Sequence, residues 1–302
     1  MNRINLFRKR DFGDLFQDSF QYVFRNPKSL LLPLVMWVVP LTAISGILNA
    51  YFSQDTMTSL IEGFTSGDFD NILQDLALNN ESMPIWIFPA IMVIAVMATS
   101  LTGAFIYEHM LTYLHEPQKL EEPEYLRDRA FNSLGGLVAS FLTMFTLVVV
   151  GVFLFTMLVV YVGESSPPMA GFLGFAGFLG LFYAGVTLYF VFFIQLHEEI
   201  GPMAAIKRAF QLIRGNWWFS FGLILVMSIV LGIMASPITV SLSFTGAMGT
   251  TALVLGQIVI ALVSVLVNVP LWVAIGLQYF NITDLPAPND FLEDAIDQIG
   301  NE

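Results

Sequence analysis

The chain has 302 residues, of which 56% are hydrophobic and 12% charged, and its mean hydropathy is +0.72. A soluble domain carries about 25% charged residues, and no soluble fold of this size hides so much apolar surface in one core. The net charge of -12 excludes a basic nucleic-acid surface, and the absence of Cys excludes disulfides and thiolate chemistry.

Residues 1–28 contain no continuous apolar run, so no cleavable signal peptide is expected and the first span is read as a retained anchor. Phe12, Leu15, Phe16, Phe20, Val23 and Phe24 fall at helical spacing there, which predicts an amphipathic helix with one apolar stripe on the membrane surface. Six apolar stretches follow, near 29–52, 84–112, 134–162, 169–196, 217–242 and 252–280. Each reaches the roughly 20 residues that a spanning helix needs, and the excess implies tilt or projecting ends. The runs are continuous, as from Leu142 to Val162, where a β-barrel would alternate. The fold class expected is therefore all-α: a polytopic membrane protein of six transmembrane helices, arranged as three helical hairpins with cytosolic interfacial helices. Its regions are a cytosolic interfacial segment (1–28), a six-helix domain (29–280) and an acidic cytosolic tail (281–302).

All 12 Lys and Arg fall in the N-terminal segment, between spans two and three, or between spans four and five. The positive-inside rule then places both termini in the cytosol, in what would be a bacterial inner membrane. The outer segment 53–83 is acidic without a base, and two turn-spaced apolar stripes predict two short surface helices there. The Asn80 sequon lies in that segment, and the one at Asn281 is discounted as cytosolic. In span four, Ala176, Gly180 and Ala184 lie four apart, the small-residue spacing of a close interhelical face. Asn268 and Pro270 lie near the middle of span six, where the proline predicts a kink and Asn268 could satisfy a freed carbonyl or bond a neighbouring span. The tail turns polar at Asn281. After Pro286 and Pro288, it carries an apolar stripe beside four acids near 290–299, which predicts a helix docked on a basic protein surface rather than on lipid.

Three segments share a layout of surface helix, outward span and return span. Their junctions read Arg25-Asn26-Pro27, Asn132 to Gly135-Gly136, and Arg214-Gly215-Asn216-Trp217-Trp218. Asn or Gly is expected to break the chain between surface helix and span. Met203, Ile206, Phe210 and Ile213 repeat the surface stripe of the first segment, and Tyr125, Leu126, Ala130, Phe131 and Leu134 give a weaker one. The stretch from His197 to Trp218 (HEEIGPMAAIKRAFQLIRGNWW) resembles the junction in bacterial six-helix membrane domains. These are found fused to some glycerophosphodiester phosphodiesterases and in related membrane proteins. The resemblance implies a fold and no activity. A phosphodiesterase barrel would need about 250 residues of soluble α/β sequence, for which this chain leaves no room.

Six polar residues near or within the spans are candidate site positions: Glu108, His109, His115, His197, Glu198 and Asn268. If the helix continues past 112, Glu108 shares a face with His115, and His109 shares one with Glu116. Ionisable groups inside a membrane are functional by default, and His with carboxylates can hold a metal. Yet His197-Glu198-Glu199-Ile200-Gly201 lacks the second His of a zinc hydrolase, and no nucleophile elbow, P-loop or dinucleotide fingerprint is present. No catalytic residue, metal or cofactor is therefore assigned. The expected partners are the lipid bilayer and a membrane-protein partner or second copy, with no nucleic acid. The leading expectation is a non-catalytic scaffold or accessory subunit of a membrane assembly. A transporter or lipid-handling protein is the alternative.

Overall fold

The computed structural model describes residues 4–52, 87–243, 245 and 248–283. All regular structure among them is helical, and six helices are long and apolar enough to cross a membrane: Pro27–Tyr51, Pro89–His115, Pro123–Ser165, Pro167–His197, Trp217–Leu242 and Thr250–Ile282. The chain is an all-α polytopic membrane protein. The expected outer-surface helices of 53–83 and most of the acidic tail lie outside the described residues.

Helix α1 (Phe12–Arg25) starts where Asp11 Oδ1 accepts the Asp14 backbone N–H at 2.7 Å, and it ends at Asn26. Asn26 donates both its backbone N–H and its Nδ2 to the Tyr22 carbonyl, which closes the last turn before Pro27 opens the next helix. The first span comprises α2 (Pro27–Pro33), a π-helical turn (Leu34–Val38) and α3 (Val39–Phe52). The turn follows Pro33, whose missing N–H removes one helical bond. Next come α4 (Ile87–His115), a 3-10 turn (Pro117–Glu121), α5 (Pro123–Ser165), α6 (Pro167–Leu188), α7 (Val191–His197), α8 (Pro202–Leu212), α9 (Trp217–Ser243) and α10 (Thr250–Ile282).

Contacts divide the chain into two units. The first is Met1–Leu30, Gly103–Ile229 and Val269–Glu302; the second is Leu31–Thr102 and Val230–Asn268. Every described Lys and Arg belongs to the first unit. In the second, Gly46 lets α3 approach α10 closely: a Cβ there would meet Gln257 Oε1 at 2.7 Å. In the first, α5 and α6 form an antiparallel hairpin, and α8 packs against both.

Three expectations need correction. The junction at Gly135-Gly136 is no break, because α5 runs through it as one 43-residue helix. Two helical glycines cost only about 1 kcal/mol each relative to Ala, too little to end a helix of this length. Gly136 also leaves room for Gln195, whose Nε2 would lie 2.9 Å from a Cβ at that position. The surface stripes are divided. Leu15 and Val23 are buried together with Ser19 and Tyr22, whereas Phe16, Phe20 and Phe24 stack along a separate, more exposed ridge. In α8, Ile206 is buried and Met203 and Phe210 are exposed; Ile213, just beyond it, is buried.

The small-residue face of span four is expected to meet either its own bundle or a second copy. Within the described residues a Cβ at Gly180 would meet nothing within 4 Å, and neither would one at Gly174, while Gly177 is packed against the ring of Phe155, so Gly180 makes no contact inside its own bundle. Third, the polar tail does not begin at Asn281. That residue is still helical, and its side chain is held by the N-terminal segment.

Candidate functional site

Among the described residues of the first unit, polar side chains form four links between segments, with two further pairs deeper in the unit. The first joins the N-terminus to the last helix. Arg10 is buried, and its guanidinium donates to the carbonyls of Leu6 (2.9 Å), Arg8 (2.8 Å) and Asn5 and to Asp18 Oδ2 (2.8 Å). Burial pulls the Arg10 pKa below its ordinary value, and the hydrogen bond to Asp18 opposes that shift. The Arg10 backbone pairs with Asn281 in both directions, N–H to Oδ1 at 2.8 Å and Nδ2 to the carbonyl at 3.1 Å. Nearby, the Ile4 N–H donates to Tyr113 Oη at 2.9 Å.

The second link centres on His109, which is completely buried. Its Nδ1 lies 2.7 Å from Tyr22 Oη and its Nε2 lies 3.0 Å from Ser29 Oγ. Burial pushes the Tyr22 hydroxyl well above its ordinary pKa. It therefore stays protonated, and a neutral imidazole donates through one ring nitrogen and accepts through the other, so Tyr22 and Ser29 take opposite roles towards His109. Ser and His at this distance have the geometry of a nucleophile and its base. Here, however, the third group is a phenol rather than a carboxylate, and the imidazole has no surface for a substrate to reach. The chemistry of the set is that of a clamp between α1, the start of α2 and α4.

The third link runs from Glu108 to Arg129 Nε at 2.7 Å and on through Tyr125 to Glu116 and Lys119. The hydrogen bond from Tyr125, followed by that from Lys119, holds the Glu116 carboxyl below its ordinary value, and the Lys119 ammonium is raised in return. Glu116 does not share a helical face with His109, because α4 stops at His115 and Glu116 has left helical geometry.

The fourth link follows α7. Glu199 takes a left-handed conformation (φ 51°), which reverses the chain towards α8. Glu198 Oε1 then accepts from Arg208 Nε at 3.0 Å and from Tyr279 Oη at 2.9 Å. His197 packs among the rings of Phe193, Tyr279 and Phe280 and lies close enough to His115 for their charges to interact. An open cleft of about 450 Å³ borders His197, Glu198, Arg208 and Thr283. Deeper in this unit, Ser140 donates to Gln195, and Gln278 Nε2 to Ser220 Oγ at 3.1 Å.

Five of the six expected positions thus lie in the first unit, and they are distributed over separate links. Asn268 belongs to the second unit. It is exposed, and its Nδ2 donates to the Ser264 carbonyl of its own helix at 2.7 Å, neither to a neighbouring span nor to the carbonyl that Pro270 frees. No three His, Asp or Glu side chains converge on a metal-sized site among the described residues. Arg10, Tyr22, Asn281 and Tyr279 hold links that pattern reading missed. Arg10 counted only as a charge, and Tyr22 fell outside a stripe defined by apolar residues. Comparison with protein-family models, curated proteins and solved structures gives no match.

Proposed function

We propose that this chain is a non-catalytic integral protein of a bacterial inner membrane, acting as a scaffold or accessory subunit of a membrane assembly. The observation that carries this reading is that Glu108, His109 and Glu198 are each spent on a link between segments. A reaction centre would gather such groups around one open point; here they brace the surface-helix layer instead. In this reading α1 and α8 are interfacial amphipathic helices on the cytosolic side, and both termini are cytosolic. The support is the one-sided Lys and Arg distribution. The resemblance to six-helix membrane domains belongs to the same proposal and brings no activity with it.

Purification in mild detergent, with identification of associated proteins, tests the scaffold role. A stoichiometric membrane-protein companion is expected. Substrate flux through the purified chain in vesicles, with no companion, would defeat it. Orientation is tested with single cysteines in this Cys-free chain. Gln17→Cys, on the exposed side of α1, should resist an impermeant thiol reagent in intact cells, and Ser66→Cys should react. Ser19 is unsuitable because it is buried. The second reading, lipid handling, is favoured by apolar grooves along the α5–α6 hairpin.

A further inference from the structure

The α5–α6 hairpin carries two open apolar grooves. One, of about 480 Å³, is lined by Gly151, Phe155, Thr156, Gly174, Gly177 and Gly180 among others. The other, of about 200 Å³, lies between the hairpin and α8 and ends at Ile206 and Phe210. Both are lined by Gly151, Val152 and Leu181, so they adjoin along the hairpin and together make a channel-like path towards α8. Gly174 and Gly180 face open space there, so no described residue uses the room they leave. The grooves are almost wholly apolar, and two cations stand next to their α8 end without lining it. Lys207 follows Ile206 and lies three residues before Phe210, hence beside it on the helix surface. Arg214 lies four residues beyond Phe210. Both cations are exposed, and neither forms an ion pair with a described residue.

We propose that this channel binds an anionic phospholipid, with an acyl chain along the α5–α6 groove and the headgroup phosphate at Lys207, assisted by Arg214. The inference rests on the assignment to a membrane and is independent of the scaffold reading. An acyl chain is thin enough to lie on a glycine floor and needs no polar partner, which suits the lining. An anion at the α8 end matches the unpaired cations. A second copy on the same two-fold patch would bring Lys207 and Arg214 against their own equivalents, so charge disfavours that occupant.

The test uses the full chain in mild detergent, delipidated and then offered phosphatidylglycerol or phosphatidylcholine, with bound lipid counted by native mass spectrometry. The natural chain should prefer phosphatidylglycerol about fivefold, the order expected for one cation near an anionic headgroup. Gly180→Leu places a side chain in the groove at a position where a Cβ meets no described atom within 4 Å, and should lower binding of both lipids roughly tenfold, the scale of side-chain intrusion into an occupied site. Gly174→Leu should do the same. Gly171→Leu, on the same helix and also facing open space but outside the groove, should bind as the natural chain does. Lys207→Gln should remove the headgroup preference and keep the phosphatidylcholine level. Equal binding by Gly180→Leu and Gly171→Leu overturns the proposal, as does the absence of any preference in the natural chain. A dimer that Gly180→Leu splits, with lipid binding unchanged, overturns it in favour of a second copy.

Discussion

Spans α4 and α5 are both long and apolar, yet they occupy opposite environments. In α4, 56% of the most apolar window is buried; in α5, the most apolar of the six, none of it is. The buried helix is the one that carries Glu108 and His109, and the exposed one has no ionisable residue between Gly135 and Val160. In water this order would be reversed. In a bilayer, an outward side chain meets hydrocarbon and must be apolar, whereas an inward one can be polar when a partner from another segment meets it. Apolarity marks the lipid face, and paired polarity marks the packed interior.

The comparison can be broken most severely at Arg10. Arg10→Ala leaves Asp18 and three carbonyls without their donor and should cost about 3 kcal/mol, the scale of breaking a buried pair. It should also release the N-terminal segment to protease. The check is the unfolding midpoint in detergent together with the rate of N-terminal cleavage, and an unchanged midpoint would remove the clamp from the account. Next is Gly103, where a Cβ would lie 2.8 Å from the Phe192 ring and 3.3 Å from Trp272. Gly103→Ala should destabilise by about 1–3 kcal/mol, whereas Gly174→Ala on the exposed α5–α6 hairpin should be neutral or stabilising by up to about 1 kcal/mol. Equal midpoints for the two would abolish the contrast.

Tyr22→Phe removes the hydroxyl that meets His109 Nδ1 and keeps the ring. It should cost about 1–2 kcal/mol for the ring nitrogen left buried without its partner, and His109→Leu in the same background should add less than it does alone. Additive losses would show that the pair is not coupled. The smallest effect concerns pH. The folded-state carboxyl of Glu116 is depressed, so its contribution is complete above the ordinary carboxylate range and lost as pH falls through the lowered value. A titration of the midpoint from neutral pH downward should therefore show a shallower acid limb for Glu116→Gln than for the natural chain.

Much of this was legible in the residues. The six spans follow from run length, and Pro27, Pro123, Pro167 and Pro202 each open a helix as first-turn prolines do. The junctions at Asn26 and at Gly215, whose φ is +93°, are breaks that local chemistry required. Gly135 and Gly136 misled because the same residue type that ends a helix can also admit a neighbour, and only the position of Gln195 decides which. The small residues of α6 show the same limit: their spacing suits close contact, but the sequence does not say what lies opposite, and within the described residues Gly177 meets Phe155 while Gly180 meets nothing within 4 Å.

By itself the sequence determined that the chain is helical, apolar and six times long enough to cross a bilayer, because backbone polar groups in hydrocarbon allow only helices or closed barrels, and continuous apolar runs exclude the alternating strands of a barrel. Tertiary structure alone decided the partners: Arg10 with Asn281, Tyr22 with His109, Glu108 with Arg129 and Glu198 with Tyr279. A helical period tells which residues share a face. It carries no information about which distant segment that face will meet, since hydrogen bonding across segments depends on three-dimensional proximity rather than on spacing along the chain.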